Sequence, residues 1–227
     1  GVVAESSRYE DGAWPVGEPA WRASVGEGST SPIVVDGRLY TMGWTNEAGG
    51  RDHVVCLDAA TGRQLWRQSY NCPRYGRHAR GDQGFYRGPS GTPEYDTTTG
   101  VLYTLSTDGH LNAWDTKRGG ANVWSMNLYD RFRVGQRPQV TRRGGSHRDY
   151  GYSSPPLVHG QTRIVEVGDD EGTLMGFARR TGQHQWSSQC KQPAGHCGGP
   201  VPMTVEGVPC VAVLHARDER HQEHEPH

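Results

Sequence analysis

Residues 93–124 read PEYDTTTGVLYTLSTDGHLNAWDTKRGGANVW, and this stretch decides the fold. Thr92-Pro93-Glu94-Tyr95 opens a strand, where a strand tolerates proline. Asp96-Thr97-Thr98-Thr99-Gly100 turns the chain. Val101 to Leu105 is a β-branched and aromatic run that predicts a second strand. Asp108-Gly109 is a hairpin signal. Leu111, Ala113 and Asp115 alternate with His110, Asn112 and Trp114, which predicts a third strand of period two. Gly119-Gly120 turns again, and Ala121 to Trp124 forms a fourth strand.

The same phrase occurs three times, from Pro32 to Trp66, Pro93 to Trp124 and Pro155 to Trp186. The tryptophan follows the proline by 34, 31 and 31 residues. One copy is too small to bury its own apolar faces, so the copies must stack on one another. Two half-copies bracket them. Ala20-Trp21 reads as the last strand of a preceding unit, and 199–214 as the first two strands of a following one. No helical periodicity of useful length appears.

Composition agrees. Gly 32 and Pro 14 in 227 residues make a turn-rich chain, and 33% hydrophobic content suits short strands with one polar face. Lys+Arg 24 against Asp+Glu 25 leaves a net charge of −1, so no global field draws the chain to nucleic acid or membrane. No apolar run approaches the roughly 20 residues of a membrane span. The five cysteines are an odd, sparse set and not a disulfide framework. Cys56 and Cys210 lie in apolar strands and read as small core residues, whereas Cys190 could pair with Cys197, or either with Cys72.

The segments "LDAATGRQLW" (57–66), "WDTKRGGANVW" (114–124) and "FARRTGQHQW" (177–186) follow an Asp-x-x-Thr-Gly-x-x-x-Trp pattern, the first fully and the others loosely. This resembles the pyrroloquinoline-quinone-like β-propeller repeat. That repeat is shared by quinoprotein alcohol dehydrogenases and by the assembly lipoprotein of the outer-membrane β-barrel machinery. The resemblance covers about residues 20–214. It implies an all-β propeller of four-stranded antiparallel blades, about half of a seven- or eight-bladed ring. The blade bodies are expected at about 31–66, 92–124 and 154–186, with half blades before 21 and after 199. Residues 215–227 then form a disordered or foreign tail, and the remaining blades are missing from this chain. By resemblance, Trp21, Trp66, Trp124 and Trp186 are structural girdle residues that pack against the neighbouring blade. A half-ring leaves open edges and implies marginal stability.

Resemblance to the dehydrogenases implies a quinone and a calcium ion held by a vicinal disulfide, carboxylates and an aspartate base. This chain has no adjacent cysteines, so no catalytic set can be carried over and no cofactor is expected. Asp169-Asp170-Glu171, the one compact acidic cluster, reads as a solvated hairpin turn. The histidines of 215–227 read as a polar end.

The spacers from each tryptophan to the next proline carry more. They run 11, 27, 31 and 14 residues, so two are long. The first long one holds Arg77, His78, Arg80, Asp82, Tyr86 and Arg87. The second holds His147, Arg148, Asp149 and Tyr150 among further arginines. Long loops in compact domains are usually functional or disordered. Arginine with tyrosine and histidine suits a carboxylate, phosphate or sugar, through bidentate bonds and stacking. The bland alternative is that these arginines pair within their own loops. The expected function is a non-enzymatic scaffold of the bacterial envelope, periplasmic or exported, that holds a protein partner or an anionic or glycan ligand. A fragment of a quinone-dependent alcohol or polyol dehydrogenase is the alternative.

Overall fold

The computed structural model describes residues 17–73, 88–132, 140–141, 147–148, 151–168, 172–191 and 198–213. Three four-stranded antiparallel meanders dominate it. The first comprises β1 (Ile33–Val35), β2 (Arg38–Thr45), β3 (Arg51–Asp58) and β4 (Gln64–Asn71). The second comprises β5 (Glu94–Asp96), β6 (Val101–Leu105), β7 (His110–Asp115) and β8 (Ala121–Asn127). One turn of helix, α1 (Leu128–Phe132), follows it, and then a small hairpin of β9 (Val140–Thr141) and β10 (His147–Arg148). The third meander comprises β11 (Leu157–His159), β12 (Thr162–Glu166), β13 (Leu174–Ala178) and β14 (His184–Ser187). A two-stranded sheet, β15 (Val201–Val205) and β16 (Val208–Ala212), completes the order. These are blades of a partial β-propeller, each too thin to have a core of its own.

The turn before the last strand shows why each blade closes as it does. Asp58 Oδ1 accepts from the amide and hydroxyl of Thr61, at 2.9 and 2.8 Å. That bond tightens the turn until the Gly62 amide meets the Asp58 carbonyl at 2.8 Å. Gly62 sits at φ 71, a left-handed conformation that costs other residues about 1–2 kcal/mol. Gly120 and Gly182 repeat this at φ 74 and 67. Directly after it, the ladder slips by one residue at the same place in all three blades: Cys56/Leu57, Ala113/Trp114 and Gly176/Phe177. The slip sets the last-strand tryptophan opposite a small residue, Cys56, Ala113 or Gly176.

The core lies between blades. Tyr40, Met42 and Cys56 of the first meander are buried with Leu102 and Trp114 of the second. Tyr103, Leu105 and Trp124 of the second are buried with Val165, Met175 and Phe177 of the third.

Trp21, Trp66 and Trp124 each pack on a glycine turn of the blade that follows. A Cβ built on Gly62 would overlap the Trp21 ring, and one on Gly120 would come within 2.7 Å of Trp66. One on Gly182 would come within 2.7 Å of Trp124. Trp21 Nε1 donates to the Ala59 carbonyl at 3.1 Å, and Trp124 Nε1 to the Arg179 carbonyl at 3.0 Å. Trp186 departs from the girdle expectation. It is 39% exposed and lies over Gly176 of its own blade, because no described residue of a following outer strand covers it.

Other expectations need correction. Cys56 is fully buried, but Cys210 is only partly so, since β16 has no third strand over it among the described residues. Cys72 and Cys190 are both free thiols, and Cys197 lies outside the described residues. Ala20 and Trp21 dock without forming a ladder. Asp169-Asp170-Glu171 and the 215–227 tail lie outside the described residues.

Candidate binding face

Register places all of the long connections at one end of the sheets. Thr45 pairs with Arg51, and Arg51 pairs with Asn71, so the β2–β3 turn and the exit of β4 share an end. The Ser106–Gly109 turn and the exit of β8 share the matching end of the next blade, since His110 pairs with Asn127.

The Ser106–Gly109 turn is where the two long inserts meet. The first insert returns at Gly88, whose carbonyl accepts from Thr107 Oγ1 at 2.9 Å. The second leaves at Leu128, whose amide donates to the Gly109 carbonyl at 2.8 Å. It returns at Tyr152, whose amide donates to the Thr107 carbonyl at 3.0 Å. Asn127 Nδ2 adds a bond to the Asp108 carbonyl at 2.7 Å. A Cβ on Gly151 would collide with the Thr107 carbonyl, so this approach requires glycine. Tyr129 and Tyr152, their ring centroids 5.0 Å apart, cover Gly109. The return of the first insert and both ends of the second are therefore held by hydrogen bonds to one buried turn, while the first insert leaves from the first blade, where the Cys72 amide donates to the Gly50 carbonyl at 3.0 Å.

Beneath this end lies a layer of buried polar side chains that the sequence reading did not single out. Glu166 Oε2 accepts from Ser154 Oγ at 2.8 Å. Asp108 stands 3.7 Å from the His110 imidazole, which lies 5.0 Å from the Tyr70 ring. Asp52, 1% exposed, faces Tyr70 and Cys72 of its own blade and Ser106 and His110 across the first blade junction. Burial pushes its carboxyl up to about 6, although Cys72, His110, Tyr70 and Ser106 each draw it back down. Burial, then the Asp52 charge, pushes the Tyr70 hydroxyl well above its ordinary value. One signal for this layer was present. Glu166 occupies the register position held by Met42 and Leu105 in the other blades, a carboxylate where the repeat has core.

Asp52 gives a pH prediction. The unfolded carboxyl titrates near 3.8, so the folded chain binds the proton more tightly. The stability this supplies is complete below that value and is lost as pH rises through about 6. At pH 8 the ionised group costs roughly 3 kcal/mol. Asp52→Asn should therefore flatten the pH dependence of urea unfolding and stabilise the chain at pH 8. An unchanged slope between pH 4 and 8 would contradict this assignment.

Of the residues expected at the site, Arg77, His78, Arg80, Asp82, Tyr86 and Arg87 lie outside the described residues, as do Asp149 and Tyr150. His147 and Arg148 form β10, so the second insert carries its own hairpin. Cys56, Cys72, Cys190 and Cys210 are far apart in sequence, and no three His, Cys, Asp or Glu side chains converge as metal ligands among the described residues. Among them, no helix is long and apolar enough to cross a membrane.

Comparison with known proteins agrees with the fold. The family model described as outer membrane protein assembly factor BamB matches residues 14–77 and 50–215. An outer membrane protein assembly factor BamB of Burkholderia pseudomallei (strain K96243) is 26% identical over 173 residues, 75% of this chain and 33% of that protein. A quinohemoprotein alcohol dehydrogenase of Pseudomonas putida is 28% identical over 160 residues, 69% of this chain and 18% of that protein. Among solved structures, BamB from Moraxella catarrhalis superposes with a TM-score of 0.51 at 18% identity, over 86% of this chain and 49% of that one. The chain spans less than half the length of each of these relatives.

Proposed function

Because this chain belongs to the family described as outer membrane protein assembly factor BamB, whose members are PQQ-like repeat propellers, we propose that it is a non-enzymatic scaffold of the bacterial cell envelope. In this reading it works in the periplasm and holds a protein partner in outer-membrane protein assembly. The face carrying the two long inserts makes the contact. One observation carries the reading: the return of the first insert and both ends of the second meet on the Ser106–Gly109 turn, at one end of the sheets. Loops held on a scaffold of packed sheets are the usual arrangement of a binding face.

Guanidinium groups in such loops suit carboxylates, on a protein partner or on an acidic glycan. Isothermal titration of acidic peptides and acidic oligosaccharides against the parent and an Arg80→Ala/Arg148→Ala variant tests this. Each lost charge-assisted contact is worth about 1.5–3 kcal/mol, so binding should weaken at least tenfold. Equal affinity in both proteins would remove the inserts from the account.

A further inference from the structure

The first blade junction changes character along its length. Tyr40, Met42, Cys56, Leu102 and Trp114 pack there as one apolar cluster. Toward the insert end, register continues the same sheet face with Asp52, flanked by Trp44 and Tyr70. Tyr70 marks the change: its ring centroid lies 6.2 Å from that of Trp114 and 5.0 Å from that of His110.

Asp52 stands between two passages of the chain. On its own blade it faces Tyr70 and Cys72, where the chain leaves β4 for the first insert. That exit is fixed to the first blade. Trp44 Nε1 donates to the Cys72 carbonyl at 2.7 Å, and the Cys72 amide to the Gly50 carbonyl at 3.0 Å. Across the junction Asp52 faces Ser106, the first residue of the turn on which the first insert returns and the second is seated. Ser106 closes that turn itself: its Oγ accepts from the His110 amide at 3.3 Å and its carbonyl from the Gly109 amide at 2.9 Å.

Asp52 is 1% exposed, and no arginine or lysine ion-pairs with it among the described residues, whereas Asp96 at the second junction has two. The titratable groups around it are Tyr70 and Cys72 of its own blade and His110 of the second, with Asp108 3.7 Å from that imidazole. A protonated carboxyl donates one bond and accepts others, so it can link polar groups on both sides of a junction. A carboxylate donates none, and burying it without a counter-ion is costly. We propose that Asp52 is a proton-dependent clasp: protonated, it ties the exit of the first insert to the Ser106–Gly109 turn, and on losing its proton it lets that end of the junction open while the blades stay folded. Because burial lifts its carboxyl to about 6, the clasp releases between mildly acid and neutral pH. The second junction responds in the opposite sense, since Asp96 is held below the usual carboxylate range and is weakened by acid.

Hydrogen exchange of the full chain, read by mass spectrometry at pH 5 and pH 8 and corrected for intrinsic rates, tests the clasp. Peptides spanning 66–72 and 101–112 should lose protection about tenfold at pH 8, the factor expected when a carboxyl titrates near 6 closed and 3.8 open. Their exchange at pH 8 should be unmoved by urea up to about 1 M, since a local opening exposes little surface, whereas global unfolding would be urea-sensitive. Asp52→Asn should abolish the pH dependence of both peptides. The urea and pH readouts come from the parent alone, so they decide the matter even if the variant fails to fold. Protection equal at the two pH values, exchange that rises with urea as global unfolding does, or an unchanged pH response in Asp52→Asn would each overturn the proposal.

Discussion

Asp96→Ala should destabilise the chain by about 3–5 kcal/mol in urea unfolding, more than its size suggests. Asp96 ends the innermost strand of the second blade and is buried against the third. Its Oδ2 lies 2.6 Å from Arg163 Nη2 and 3.5 Å from Arg179 Nη1. Burial alone would raise its pKa. The Thr99 hydroxyl, the Thr98 amide and both guanidinium groups reverse this and hold the carboxyl below the usual range. Arg163 is completely buried, its guanidinium carbon 4.3 Å from the centroid of the Tyr103 ring. Removing Asp96 leaves that charge without its counter-ion inside an apolar junction. The preceding junction shows the alternative. There the matching positions are Val35 and Leu102, packed in the same apolar cluster. The double substitution Asp96→Val/Arg163→Leu copies that solution and should recover the part of the loss that comes from the unpaired Arg163 charge, since apolar replacement of a buried ion pair is often neutral or stabilising, while the bonds of Asp96 to Arg179 and the Thr98 amide stay lost. A double variant as unstable as the sum of the two single ones would show that the pair is not an isolated electrostatic unit.

Trp124→Ala should cost about 3–5 kcal/mol, the range for large core truncations. Trp124 is 8% exposed, its ring centroid lies 5.9 Å from that of Tyr103, and it packs on Gly182 of the next blade. Its loss opens a cavity at the rim of the second junction and removes one of the two hydrogen bonds to the Arg179 carbonyl, which still accepts from the Tyr103 hydroxyl at 3.2 Å. Trp124→Phe keeps a ring on Gly182 and forfeits chiefly the hydrogen bond, so its cost should fall to about 1–2 kcal/mol. Similar costs for both would mean that the ring contributes little beyond its single bond.

What the sequence revealed follows from what repeats. The strands of the second blade stand where Val101–Leu105 and the alternation through His110–Asp115 predict them, because β-branched runs and period-two patterns are local signals. Asp58-x-x-Thr61-Gly62 encodes its turn through contacts only three or four residues apart. What was hidden depends on neighbours distant in the chain. Asp52 stands near the start of a strand, and Ser106 and His110 of the second blade, more than 50 residues on, join Tyr70 and Cys72 of its own blade around it. Likewise Arg163 looks like a surface residue until Asp96, 67 residues away, is placed beside it. Thr107 gives no sign in sequence of anchoring both inserts, because its bonds run to Gly88 and Tyr152 through their backbone atoms. Backbone partners leave no trace in residue type. Trp186 carries the same motif as Trp124, yet one is exposed and the other buried. The difference lies in what is packed against each, which the motif does not encode.

The central claim is that a tryptophan of one blade seated on a left-handed glycine of the next holds the propeller together. Adjacent glycines in one turn test it most directly. Gly119 and Gly120 both sit in the left-handed region, at φ 65 and 74. A Cβ on Gly119 meets nothing within 4 Å, whereas one on Gly120 would lie 2.7 Å from the Trp66 ring. Alanine at either site carries the same backbone penalty of about 1–2 kcal/mol. Only Gly120→Ala must also displace Trp66, so urea unfolding should show it to be at least about 2 kcal/mol less stable than Gly119→Ala. Equal losses in the two variants would contradict the tryptophan–glycine junction as the element that joins the blades.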